Sequence, residues 1–213
     1  MQPCRRGAAR PRGAGPATAA AGLLALAAAG CATASLPPPA PVLAAARAAP
    51  TYRASLSVSL KGPDLRGRTR VLLGFRRPDQ LRIEIPGPTG PRLVAVTRDG
   101  RLAAVFPGER AVFRGEATAA DLEALLGVGL SPEELIDLLV GVPSSRLRSY
   151  EARWGPALPR EITAVLPDGT RLKAKAEDPE AGVALPDAAF RPPPHAGYRE
   201  VDAAEARRLW GAR

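Results

Sequence analysis

The sequence carries one histidine, two cysteines and only 4% aromatic residues, and each scarcity closes off a class of chemistry. His195 lies in the proline-rich run Pro192-Pro193-Pro194, without the partners that a metal site or a Ser-His-Asp triad needs. Cys4 and Cys31 both fall in the N-terminal segment, so the body of the chain has no thiol nucleophile and no disulfide. No glycine-rich loop follows a strand and opens a helix, which removes the phosphate-cradling motifs. Ser144-Ser145 follow Pro143 in a loop with no base nearby in sequence, and Glu133-Glu134 read as helix-capping carboxylates. Asp99 and Asp168 each precede a glycine in a turn, a structural role. No enzyme, metal or cofactor is expected. The formal charge is +9, but its basic residues are scattered and not clustered, which argues against nucleic acid.

Acidic residues are also missing from the first 16 positions, where Arg5, Arg6, Arg10 and Arg12 stand. The apolar run at residues 17–29 follows, too short to cross a membrane, which takes ~20 such residues. A basic stretch before a short apolar one is a secretory signal. It ends Ala28-Ala29-Gly30-Cys31, which resembles the lipobox of bacterial lipoproteins, in which the cysteine is acylated and becomes the new N-terminus. Residues 1–30 are therefore expected to be a cleaved signal and Cys31 the lipidation site. Losing four arginines would take the formal charge from +9 to +5. Residues 31–50, rich in proline and alanine, read as a semi-rigid spacer reaching roughly 60 Å, with a short helix at 42–49 as the alternative.

From Tyr52 the pattern changes. Leu56, Val58 and Leu60 alternate with Ser55, Ser57 and Ser59, the signature of a half-exposed strand. Val71, Leu73 and Phe75 repeat the pattern, then Leu81, Ile83 and Ile85, then Leu93 to Val96, Leu102 to Phe106 and Ala111 to Phe113. This predicts a meander of about six antiparallel strands. Between the third and fourth, Pro86-Gly87-Pro88-Thr89-Gly90-Pro91 predicts a stiff projecting loop. Thr118 with Asp121, and Ser131-Pro132 with Glu134, each announce a helix start, and Gly141 a stop. Strands resume at 161–166 and 171–177, with a last edge strand expected at 188–191. Asp202 and Glu205 open a short terminal helix carrying Leu209 and Trp210.

One sheet face thus gathers aliphatic side chains. Either it is an ordinary core closed by the helices, or sheet and helices enclose a cavity able to shield acyl chains. Burial is worth ~0.8 kcal/mol per methylene, so aliphatic walls suffice for lipid. The chemistry of the residues alone leaves both readings open.

The order of features resembles the LolB type of outer-membrane lipoprotein receptor, in the LolA/LolB-like superfamily. The resemblance runs from about Tyr52 to Glu177. It rests on the lipidated N-terminus with its tether, the loop Gly87-Pro88-Thr89-Gly90, the helix from Leu130-Ser131-Pro132-Glu133-Glu134 to Gly141-Val142-Pro143, and the strand pair that follows. It implies a mainly β fold with helices, an unclosed antiparallel half-barrel under a helical lid, as a single domain at residues 51–201, with a helix or tail at 202–213. It further implies a monomer facing the periplasm from the outer membrane. There it would take lipoprotein acyl chains from a soluble LolA-like carrier and insert them into outer-membrane lipid without nucleotide hydrolysis. The resemblance implies a cavity walled by Leu56, Val58, Leu60, Val71, Leu73, Phe75, Leu81, Ile83, Ile85, Leu93, Leu122, Leu125, Leu135, Leu138 and Leu139. It implies a membrane-insertion loop at Gly87, Pro88, Thr89 and Gly90. The family presents a leucine before the loop glycine, and this chain has Thr89 there. Ala32 after the cysteine, not aspartate, is compatible with outer-membrane sorting. The alternative is a structural or assembly lipoprotein that uses the same fold to bind protein.

Overall fold

Period-two alternation becomes sheet throughout the body of the chain. The computed structural model describes residues 38–62 and 66–211. Within them β1 (Thr51–Lys61), β2 (Arg66–Arg76), β3 (Gln80–Gly87), β4 (Gly90–Arg98), β5 (Arg101–Phe106) and β6 (Ala111–Glu116) pair in succession, all antiparallel. β7 (Ser149–Trp154), β8 (Pro159–Val165) and β9 (Arg171–Ala181) form a second antiparallel run, and β9 pairs with β1. The two-residue β10 (Arg199–Glu200) adds to β6 in parallel. The order is β10-β6-β5-β4-β3-β2-β1-β9-β8-β7, and the two end strands do not pair, so the sheet is unclosed. The chain is mainly β, as the alternation predicts.

The inner face of the sheet is apolar. Leu56, Val71, Phe75, Leu81, Ile85, Leu93, Leu102, Ala104 and Phe106 are buried in one cluster with the helices. These are α2 (Ala119–Leu126), α3 (Pro132–Leu139) and α4 (Ala203–Gly211), with α4 against α2 and α3 against β3. Their starts follow local chemistry. Thr118 Oγ1 accepts from Asp121 N, and Ser131 and Glu134 close a complete capping box behind Pro132. Asp121 does not reciprocate at Thr118, because its carboxylate accepts instead from Glu116 N at the end of β6. The outer face carries the cross-strand ion pairs Arg53–Glu180 and Arg70–Glu177, and the pair Arg82–Glu84 along β3. Exposed pairs of this kind contribute about 1 kcal/mol at most.

Several expectations are corrected. Of the two readings of residues 31–50, the spacer gives way to the helix in the described part: α1 (Ala40–Ala48) starts after Pro39, and Ala46 and its C-cap Ala49 are buried. Residues 188–191 are not an edge strand. Residues 188–190 belong to a 3-10 helix (Asp187–Phe190), capped by Arg191, lying across the outer face, where Phe190 packs on Val94 and Val96. Arg76 holds that helix by donating to Asp187 and to the carbonyl of Leu185. β4 is consequently buried on both faces. β7 has no counterpart in the sequence reading, although Tyr150, Ala152 and Trp154 alternate inward against Ser149, Glu151 and Arg153 there. The signal segment and Cys31 lie outside the described residues.

Candidate ligand cavity

Small side chains make the space. Across four neighbouring strands the inner-face register runs Thr69 (β2), Val58 (β1), Ala174 (β9) and Ile162 (β8). None of the first three fills the height between sheet and helix as leucine or phenylalanine does on either side. Above this row lie Leu135, Leu138 and Leu139 of α3, Leu126 at the end of α2, and Val128 of the α2–α3 connection. Between them is a cavity of about 110 Å³, bounded also by Leu56, Leu60, Val71, Leu73, Ile83, Ile85, Leu172 and Trp210. Val58, Leu73, Ile83 and Leu135 are only partly buried, so the cavity is not sealed. Its volume is well short of the ~300–1,000 Å³ of typical small-molecule sites.

Of the predicted wall, Leu56, Val58, Leu60, Val71, Leu73, Ile83, Ile85, Leu135, Leu138 and Leu139 do line the cavity. Phe75, Leu81, Leu93, Leu122 and Leu125 do not. Each is essentially inaccessible in the packed core beside it, with Phe75 stacked on Tyr52 at 5.3 Å between ring centroids. The sequence reading missed Thr69, Leu126, Val128, Ile162, Leu172, Ala174 and Trp210. The alternation at Ile162, Leu172 and Ala174 was legible as strand. Its place in the cavity depends on β9 meeting β1 across more than half the chain.

The lid is held at three points. Arg77, in the β2–β3 turn, pairs with Asp137 of α3 at 2.8 Å. Ser144 Oγ donates to Glu134 Oε1 at 2.5 Å and Arg146 lies 3.4 Å from Glu134 Oε2. Desolvation alone would raise the Glu134 carboxyl. Hydrogen bonds from Ser144 and from the Ser131 N–H, with the charge of Arg146, instead hold it below the ordinary carboxylate range. At the other end, Trp210 Nε1 donates to Leu125 O at 2.6 Å, fixing the last turn of α4 beside the cavity.

The expected projecting loop is much shorter than six residues. β3 runs through Gly87 and β4 starts at Gly90, leaving Pro88 and Thr89 as a two-residue turn with Gly90 at φ 138°. The flanking prolines sit opposite each other, Pro86 to Pro91, just past a bulge that follows the Ile85–Leu93 pair. Thr89 is exposed at the tip. His195 Nδ1 lies 2.8 Å from Pro193 O in its loop, and Asp168 caps its own turn by accepting from Thr170.

No protein-family model and no curated protein matches the sequence. Among solved structures, the chain is similar to a LolA superfamily protein from Nitrosomonas europaea, with 11% identity, 71% of this chain and 96% of that one covered, and a TM-score of 0.45. A DUF1329 family protein from Desulfovibrio piger gives 10%, 74%, 95% and 0.45. An uncharacterized conserved protein from Thermus thermophilus gives 9%, 75%, 94% and 0.42. At scores this low the likeness is approximate, and no property of those proteins transfers to this chain through it.

Proposed function

We propose that this chain binds acyl chains in the cavity between the inner sheet face and α3. It would do so as a lipid-anchored outer-membrane protein facing the periplasm, receiving lipoproteins from a soluble carrier and passing them to outer-membrane lipid. The observation that carries the reading is an apolar, partly open cavity placed where small residues interrupt an otherwise filled core. A chain entering it displaces no polar contact, and each buried methylene contributes ~0.8 kcal/mol. At about 110 Å³ the cavity as it stands takes only part of a chain, so loading a whole chain requires α3 or α4 to move outward. No catalysis is assigned to it.

Two measurements test this. Full-length chain carrying Cys31→Ser, and therefore not acylated, is titrated with a fluorescent fatty-acid probe, and lipoprotein is then added to displace it. Saturable binding and displacement support the reading, and absence of probe binding sinks it. The insertion step is tested by transfer from a loaded carrier to outer-membrane vesicles, native against Thr89→Leu. Transfer that appears only with leucine would leave the native protein as a chain binder without insertion activity. The small volume favours a second reading, an assembly lipoprotein that uses the fold to hold another envelope protein. It predicts no probe binding and no response to chain length.

A further inference from the structure

The apolar cavity does not end in hydrocarbon. Val58, Leu60, Thr69 and Trp210 also border an adjoining recess of about 170 Å³, whose remaining border is Arg66, Gly67, Arg68, Arg92 and Gly211. Among the described residues, no carboxylate stands on that border. Strand alternation turns Arg66 and Arg68 to the outer face, where Arg68 Nε donates to Ser57 Oγ at 3.2 Å. Arg92 is different. It is the extra residue of the β4 bulge, since Leu93 faces Ile85 while Pro91 faces Pro86. A bulge re-aims the side chain it carries. Arg92 lies across Gly87, where a Cβ would come within 2.7 Å of Arg92 Cγ, and its Nη2 donates to Trp210 O at 3.1 Å.

That carbonyl, at the negative end of α4, takes one of five guanidinium N–H donors. Among the described residues, the ion pairs do not include Arg92. A cation with no carboxylate partner among the described residues, set at the mouth of an apolar cavity, matches one ligand shape: an anionic head on an alkyl chain. We infer that the recess at Arg92 is a headgroup site for an anionic amphiphile, carboxylate or phosphate, whose chain enters the cavity beside Val58 and Leu60. The head replaces the Trp210 carbonyl on Arg92, because a carboxylate or phosphate accepts two N–H donors and carries full charge where the carbonyl accepts one. The glycine of the Gly87-Pro88-Thr89-Gly90 turn then has a specific task, to leave room for the arginine stem.

The inference rests on the acyl-chain reading above, and its test separates the two. Full-length chain with Cys31→Ser is loaded with a neutral fluorescent chain probe, which is displaced by dodecanoate, dodecyl phosphate, dodecanol or dodecyltrimethylammonium. Both anions are expected to bind at least tenfold tighter than dodecanol, and the cation more weakly than dodecanol. Arg92→Gln removes the preference and leaves dodecanol unchanged. Arg92→Lys keeps the charge without the paired fork and gives an intermediate preference, and Gly87→Ala weakens the preference by moving the arginine. Circular dichroism checks that each variant is folded, and the native preference stands as a readout even where a variant is not. Equal binding of dodecanoate and dodecanol by the native chain overturns the headgroup site while leaving chain binding intact, as does a preference that survives Arg92→Gln. Failure of the probe and of all four compounds to bind overturns both.

Discussion

Gly141 and Trp154 occupy the same space: a Cβ on Gly141 would lie 2.3 Å from Trp154 Cζ2, and Gly141 holds a φ of +86°. The stop of α3 is thereby tied to the inner end of β7. Gly141→Ala violates both the backbone and the ring contact, and an expected loss of about 2–4 kcal/mol follows from the strain and the clash together. Gly108→Ala is the control, since nothing lies within 4 Å of a Cβ there and its φ is ordinary. Urea unfolding of the two variants beside the native chain measures the difference, and Gly108→Ala should stay within about 0.5 kcal/mol.

Filling the cavity should raise stability and lower ligand binding. Ala174 stands opposite Val58 and Ile162 on the cavity floor. Ala174→Leu fills space that is otherwise empty, and an expected gain of about 0.5–2 kcal/mol reflects the lost void. Thermal unfolding should rise while fatty-acid probe affinity falls. A rise in both would place the bound chain elsewhere.

Thr97 is buried on β4 and bridges two backbone groups, donating from Oγ1 to Asp79 O at 2.6 Å and accepting from Leu81 N at 3.0 Å. Thr97→Val keeps the shape and strands both partners. The expected cost is about 1–3 kcal/mol, with Thr97→Ser losing less because the hydroxyl survives. Denaturant midpoints of the two variants give the comparison.

Glu134 sets an acid-side dependence. Its folded pKa is depressed, so its contribution is present above the unfolded carboxylate value and is lost as pH falls through the folded one. Stability measured from pH 7 downward should decline below the ordinary glutamate range of ~4.3, and Glu134→Gln should flatten part of that decline. Ser131→Ala, which removes the other half of the capping box, should cost ~1 kcal/mol at pH 7.

Local chemistry decided a good deal of this protein in advance. Alternation at Leu56, Val58 and Leu60 set the inner face of β1, and Ser131-Pro132 with Glu134 set the start of α3 within a residue. Asp99-Gly100 set the β4–β5 hairpin, both at positive φ as its two-residue turn requires. All these signals lie within a few neighbouring residues, so the chain carries them before it folds. The turn at Pro86 to Pro91, read as six projecting residues, was decided otherwise. Cross-strand pairing extended both strands to the glycines, and the register mismatch became a bulge that turned Arg92 toward Trp210. The cavity is likewise a tertiary product. Thr69, Val58, Ala174 and Ile162 are small or medium residues in four separate stretches, of which only Val58 stands in the expected cavity wall, and they become a row of shallow side chains only when β9 closes on β1. Composition told that the wall would be aliphatic. Which aliphatics leave a gap, and which fill it, depends on partners far away in sequence.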